Sequence, residues 1–354
     1  MAEGRDADRA PERVDPVDRA LARGVTASAA IASPADAPLL AVTELSIAFP
    51  SPLGPRRVVD RLSYAIGKGR TLGVVGESGC GKTVAALALL RLVPPPGRVV
   101  QGSVRLGGTD LATLTPGQLQ AHRGQRVAMV FQDPSAALNP VQTIGQQIAE
   151  VFLLHRAMTA AEARDAAVEM LQQVGMPDPK RRADAYPHQL SGGMRQRAMI
   201  AMALACRPDL LIADEPTTAL DATVQAQILD LMQELQDRFG AAIQFISHNL
   251  GVVASIAEDV MVMYAGRAVE RAPADALFRD PLHPYTRALL ATLPRLGSRR
   301  DVLPSIQGSV PPAGFALQGC RFAPRCPLAD QDCRAAEPEL TPRSGGRAAA
   351  CFKA

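Results

Sequence analysis

No charge-free apolar run in this 354-residue chain approaches the roughly 20 residues that a membrane-spanning helix needs, so any work at a membrane is expected to go through a partner. The N-terminus has no basic start followed by an apolar block, which excludes an ordinary secretory signal; the Ala-rich stretch from Ala20 to Ala35 is broken by Arg23. A strong charge of either sign is also missing. The net value of +3 is too small to argue for nucleic acid, and no nucleic-acid partner is expected. No internal repeat is visible. No Cys-x-x-Cys pair occurs, and in the cytoplasm, the expected compartment, six cysteines read as ligands or plain thiols rather than disulfides. What the chain does have is 47% hydrophobic residues, ample for a sizeable core, over a length that suggests about two domains.

The strongest signal is Gly76-Glu77-Ser78-Gly79-Cys80-Gly81-Lys82-Thr83, a Gly-x-x-x-x-Gly-Lys-Thr sequence. The apolar run Thr71 to Val75 before it reads as a short buried strand, and the Ala/Leu-rich run Val84 to Leu92 after it as a helix. In that setting the glycines let the backbone wrap phosphate oxygens, with amide N–H groups and the helix N-terminus aimed at the charge. Lys82 then reaches the terminal phosphates of a nucleotide, and the Thr83 hydroxyl can ligate Mg²⁺. Without those flanking elements the octapeptide would be no more than a Gly-rich turn with a chance lysine.

Leu210 to Ala213 forms a second signal, an apolar strand running into Asp214-Glu215-Pro216. Beside a phosphate loop, Asp214 is placed to hold Mg²⁺ through water, and Glu215 to polarise a water towards the γ-phosphate. Alone, such a strand end would be two solvated acids. Leu190-Ser191-Gly192-Gly193-Met194-Arg195-Gln196-Arg197 opens a helix that continues through Ala203. Ser191 is a good N-cap, and the two glycines expose amides that could grip an anion. Capping chemistry by itself leaves an ordinary capped helix as an equal reading.

Residues 1–38 are rich in Ala, Arg, Asp and Pro and read as a mobile tail, with room for a short helix near Val17 to Arg23. Leu39 to Phe49, Arg57 to Ile66 and Arg98 to Leu106 are strand-like and suggest an antiparallel sheet, with a turn over Ser51 to Pro55. Val127 to Phe131 is a further buried strand, ending at Gln132-Asp133-Pro134. From there to about Arg207 apolar residues recur at helical spacing, as in Ile144, Ile148, Val151, Phe152 and Ala167, Met170, Leu171, Val174. Ile243 to Ile246 completes the set of buried strands, and helices are predicted over Val224 to Phe239 and Leu250 to Ala257. Strands alternating with helices argue for a mostly parallel α/β core.

The Leu190 to Gly193 segment, set between a phosphate loop and a carboxylate-ended strand, makes residues 39–293 resemble the ATP-binding-cassette ATPases. The resemblance implies an α/β P-loop NTPase (RecA-like) core with an antiparallel β arm and an inserted helical subdomain at about 134–207. A small irregular C-terminal segment, 294–354, would follow. It implies that Gln132 senses Mg²⁺ and the attacking water, that Asp221 in Ala219-Leu220-Asp221 lies in the D-loop, and that His248 contacts the γ-phosphate. Gly76 to Thr83, Gln132, Ser191, Gly192, Gly193, Gln196, Asp214 and Asp221 would then surround ATP. Thr83, Gln132 and Asp214 would hold Mg²⁺, and Glu215, His248 and Lys82 would carry the chemistry. Phe49 is the candidate to stack on adenine, with Tyr64 as rival because the turn at Ser51 blurs the spacing. Two cassettes would pair head to tail, each ATP lying between one chain's Lys82 loop and its partner's Ser191 segment.

Several stretches resemble, more narrowly, the dipeptide/oligopeptide (peptide/nickel) importer ATPases: Tyr186 to Arg197, Ile212 to Thr218, Met263 to Gly266 and His283 to Leu290. The partners implied are two permease subunits, a sister ATPase and an extracytoplasmic solute-binding protein, with the chain on the cytoplasmic face of the inner membrane. Asn249 departs from the family's frequent Asp, and Cys80 and Thr83 from its frequent Ser. Cys320, Cys326, Cys333 and Cys351 follow a Cys-x₅-Cys-x₆-Cys-x₁₇-Cys spacing. Four thiols fit a [4Fe–4S] cluster or a Zn site, and plain thiols remain open. Arg321 and Arg325 would favour thiolates. The tail resembles the importers' C-terminal segment, where some members bind an iron–sulfur cluster. The expected function is ATP hydrolysis driving uptake of di- or oligopeptides. Another solute (nickel, glutathione, an antimicrobial peptide) and a non-transport cassette ATPase are the alternatives.

Overall fold

The structure, a computed structural model, describes residues 37–52, 54–218, 220–293, 305–311 and 318–354. The expected tail with its helix near Val17 lies outside these residues, as do 294–304 and 312–317 of the expected C-terminal segment. The strands are β1 (Leu40–Phe49), β2 (Arg56–Ile66), β3 (Thr71–Val75), β4 (Arg98–Leu106), β5 (Thr109–Asp110), β6 (Val127–Val130), β7 (Leu210–Asp214), β8 (Ala242–Ser247), β9 (Asp259–Tyr264), β10 (Arg267–Pro273), β11 (Thr341–Arg343) and β12 (Arg347–Ala349). They form an eight-stranded sheet in the order β11-β12-β10-β9-β3-β8-β7-β6 and a four-stranded sheet in the order β2-β1-β4-β5. The run β9-β3-β8-β7-β6 is parallel throughout. The smaller sheet is antiparallel.

Strands β3, β7 and β8 are buried at every residue, as parallel strands covered on both faces must be. Side chains of β7, β8 and β9 divide between two cores by the two-residue period of a strand. Leu210, Ile212, Ala242, Ile246 and Met261 face the smaller sheet. Leu211, Ala213, Ile243, Phe245 and Val260 face a layer of helices on the other side. The helix Lys82–Leu89 is sandwiched between the sheets by Ala85, Ala86, Ala88 and Leu89, small residues that let both sheets approach. On the opposite face the helix Leu250–Ile256 presses on β3 at Gly73, where a Cβ would stand 2.4 Å from a Val253 methyl.

Between β6 and β7 the chain runs through helices at Pro134–Ala137, Ile144–His155, Ala160–Gln173, Pro179–Ala183 and Gly192–Leu204. Thr143 with Gln146, and Thr159 with Glu162, form reciprocal capping boxes that fix two of the starts. Ile144, Ile148, Phe152, Ala167, Met170 and Leu171 are buried together in the helix-side core, as the spacing predicts. The C-terminal segment is less irregular than its sequence suggests. The hairpin β11–β12 extends the large sheet by pairing Ala348 and Ala349 with Arg271 and Glu270 of β10. Three-residue strands carry too little alternation to be read in advance.

Candidate functional site

All the parallel strands release their carboxyl ends along one edge of the large sheet, the edge where α/β sheets place ligands. Val75 there gives way to the glycine-rich loop, Val130 leads to Gln132, β7 ends in Asp214 and Glu215, and β8 leads to His248. The loop's shape depends on glycine. Gly76 has φ of 155°, and a Cβ on it would lie 2.3 Å from the Met263 carbonyl oxygen; Gly81 has φ of 101°, and a Cβ there would lie 2.8 Å from the Val58 carbonyl oxygen. Gly81 caps the Lys82–Leu89 helix without a side-chain acceptor, so the first-turn N–H groups are left for an anion. Lys82 is 5% exposed, and its ammonium donates to the Gly76 and Glu77 carbonyls at 2.8 and 3.1 Å. Cys80 is buried, and burial pushes its thiol pKa up, so it fills the loop rather than reacting.

Opposite the loop, the carboxylates do different things. Thr83 Oγ1 donates to Asp214 Oδ1 at 3.2 Å. Burial raises the Asp214 pKa and the Glu215 charge adds to that, while the Thr83 bond and Lys82 pull the other way. Glu215 gathers three groups on one oxygen, Oε2: Gln132 Nε2 at 3.1 Å, Thr218 Oγ1 at 2.9 Å and His248 Nδ1 at 3.1 Å. Three residues separated widely in sequence thus meet at one carboxylate beside the phosphate loop. Asn249 caps the helix Leu250–Ile256 by accepting from Gly251 and Val252 N–H, so the amide does the work expected of Asp there.

Other expected site residues lie elsewhere. Ser191 accepts from Met194 N–H as a helix cap and is exposed; Gly193 lies against Val224 at the start of the Ala222–Phe239 helix. Gln196 is buried in the same helix, its Nε2 unpartnered. Asp221 caps the Ala222–Phe239 helix. No hydrogen bond among the described residues joins this group to the Lys82 loop. Of the two aromatic candidates, Tyr64 is buried between the sheets with its hydroxyl donating to Gln244 at 2.9 Å. Phe49 stays half-buried at the end of β1, its ring against Gly97.

The four tail cysteines converge on one cavity of about 10 Å³, shared with His283, Phe322 and Phe352. Among the described residues no three His, Cys, Asp or Glu side chains are grouped as ligands of one metal ion. The expectation of a four-cysteine site is therefore met in convergence and not in ligand geometry. The expected help from the arginines is absent. Arg321 turns to Asp60, Glu337 and the Ala265 carbonyl, and Arg325 to Glu77. Burial, unopposed by either guanidinium, raises the Cys320 and Cys326 pKa values. Two loop partners escaped the sequence reading: Tyr285, whose hydroxyl accepts from Glu77 N–H at 2.9 Å, and Arg325. No local pattern marks contacts that close 208 and 248 residues of chain.

A family model described as ABC transporter matches residues 59–218, and one described as oligopeptide/dipeptide transporter, C-terminal region, matches 269–333. A probable peptide ABC transporter ATP-binding protein of Sinorhizobium fredii is 51% identical over 317 residues, covering 89% of this chain and 95% of that one. The dipeptide transport ATP-binding protein DppD of Escherichia coli is 48% identical over 313 residues, 88% of this chain and 96% of the relative. Among solved structures, a dimeric ATP-binding cassette in a post-hydrolysis state bound to ADP and phosphate superposes with a TM-score of 0.60 at 24% identity, over 66% of this chain and 98% of that one. That last likeness concerns the fold alone.

Proposed function

The chain belongs to the ABC-transporter ATP-binding proteins of the oligopeptide/dipeptide type, and from that premise we propose that it is the ATP-hydrolysing subunit of a bacterial importer of di- and oligopeptides. The observation that carries the reading is Glu215, which gathers Gln132, Thr218 and His248 one residue after the Asp214–Thr83 pair. The loop amides of Gly76 to Thr83 receive the phosphates, and Lys82 exchanges its two carbonyl partners for phosphate oxygens. Thr83 and Asp214, with Gln132 at hand, would be the oxygen donors to hold Mg²⁺, which would supply charge neutralisation at the phosphates. Glu215 takes the proton of the attacking water, and His248, hydrogen-bonded to it, stands ready for the charge that develops on the γ-phosphate. Phe49 offers a ring to adenine.

Ser191, Gly192, Gly193, Gln196 and Asp221 are assigned to the neighbouring cassette's nucleotide, because among the described residues no hydrogen bond joins them to this chain's own loop. A sister ATPase completes the pair, and two permease subunits and a solute-binding protein complete the importer. Among the described residues no helix is long and apolar enough to cross a membrane. In the proposed assembly the chain docks on the permeases at the cytoplasmic face of the inner membrane. Purification of the tagged chain from native membranes tests the reading. Two polytopic permeases and Mg²⁺-dependent phosphate release are expected, and a soluble complex without permeases would overturn transport. Because Cys320, Cys326, Cys333 and Cys351 line one cavity, a thiolate-bound group, an iron–sulfur cluster before zinc, would find its ligands there, but only after the four thiols rearrange from their present packing. Such a group would cross-link a segment with little core of its own. Iron and sulfide in an anaerobic preparation are the expected result, and iron-free protein removes the assignment.

A further inference from the structure

We propose that Arg325 and Tyr285 are positioning residues for the phosphate loop, which they serve by fixing Glu77. The inference rests on the reading of Gly76 to Thr83 as the loop that holds ATP. Glu77 is held at three points. Its carboxylate takes both arms of the Arg325 guanidinium, Oε2 to Nη1 at 2.7 Å and Oε1 to Nη2 at 3.0 Å. Its N–H donates to Tyr285 at 2.9 Å. Its carbonyl accepts from Lys82 at 3.1 Å. The pair from the C-terminal part of the chain is thus one residue's width from the ammonium that meets the phosphates.

The Arg325 contact is not an incidental surface pair. Its side chain is 5% exposed, and the rest of its fork is spent as well. Nε donates to the Gln307 carbonyl at 2.8 Å, Nη1 reaches the Tyr264 hydroxyl at 3.3 Å, and the guanidinium carbon lies 5.8 Å from the Tyr264 ring centre. Tyr264, Tyr285 and Phe322 pack in one aromatic cluster that ties β9, the Pro284–Ala291 helix and the tail together. The bidentate geometry gives direction as well as strength. It also answers an electrostatic problem. A free carboxylate next to amides that must hold a triphosphate would repel it, and Arg325 cancels that charge. A plain structural anchor would hold the tail without affecting nucleotide affinity.

Titration of the full-length chain with mant-ATP and Mg²⁺, alongside steady-state hydrolysis, separates the two roles. Arg325→Ala frees the Glu77 charge and is expected to weaken binding about tenfold, with KM rising in step and kcat within about twofold of wild type. Glu77→Gln and Tyr285→Phe are each expected to cost about threefold. Arg325→Lys, with charge but no fork, should fall between wild type and Arg325→Ala. The double variant Glu77→Gln/Arg325→Ala, lacking the repelling charge, should bind better than Arg325→Ala alone, which mere loosening of the tail would not produce. Arg347→Ala, which breaks a pair with Asp280 at the sheet edge, serves as the control and should leave both constants unchanged. Unchanged affinity in Glu77→Gln and Arg325→Ala, or a double variant weaker than Arg325→Ala, overturns the inference. A wild-type chain that binds no mant-ATP would bring down the ATPase reading together with it; binding by wild type and both variants alike brings down the inference alone.

Discussion

At the scale of single residues, Glu215 is strained at the point where its side chain matters. It sits at φ of 47°, in the left-handed region, with its N–H given to the Ile246 carbonyl across the sheet. A non-glycine residue there costs on the order of 1 kcal/mol, and such strain collects where a side chain must be aimed. The twist turns the carboxylate out of β7 and into reach of Gln132, Thr218 and His248, while Asp214 stays 2% exposed in the strand. Glu215→Gln keeps the shape and the hydrogen-bonding length but gives up the proton acceptor. Phosphate release is expected to fall by at least about a hundredfold while mant-ATP affinity stays within a few fold of wild type. Hydrolysis at the normal rate would show that the base lies elsewhere.

Among the elements, β2 is pinned to the C-terminal part of the chain by one carboxylate. Asp60 is 5% exposed and meets Arg57 at 2.9 Å, Arg267 at 2.9 Å and Arg321. Burial alone would raise its pKa, but the bonds from Arg57 and Arg267 and the charges of Arg267 and Arg321 bring it down to about 2. A carboxylate depressed from 3.8 to about 2 stabilises the fold above its unfolded value and loses that effect as pH falls towards 2. The contribution at pH 7 is on the order of 2 kcal/mol. Asp60→Asn should lower the denaturant midpoint at pH 7, and the gap from wild type should close between about pH 4 and 2; a gap independent of pH would assign the loss to packing. Such ties explain what the sequence hid. The buried strands β3, β6, β7 and β8 were legible because each is a short apolar run between turn signals, and the helices after β6 because Ile144, Ile148 and Met170 keep a helical period. Strand β10 was not, since Arg267, Glu270 and Arg271 break its apolar pattern and are satisfied only by distant partners. The same holds in the site: Lys82, Asp214 and Glu215 declare themselves by neighbours in sequence, whereas Tyr285 and Arg325 reach the loop only through the fold.

On the scale of the whole molecule, the carboxyl edge of the large sheet holds the Gly76–Thr83 loop and the Glu215 cluster, while among the described residues no hydrogen bond joins the Ser191 turn to either. The proposed pairing of cassettes therefore predicts a split phenotype. Ser191→Arg should leave mant-ATP binding to the same chain intact, yet cut phosphate release by the assembled pair at least about tenfold, and assembly-independent hydrolysis would contradict it. A different consequence follows from the distance along the chain between Glu77 and its clamp. The nucleotide loop leaves the ribosome 248 residues ahead of Arg325. Between the synthesis of His248 and that of Arg325 the nascent subunit therefore displays every nucleotide-site signature with the latch still unmade, and a product cut short before Arg325 would pass for an ATPase by motif while missing the piece proposed to set its loop. On the proposed clamp, the folding of the segment around Arg325 onto Glu77 is the event that arms the subunit.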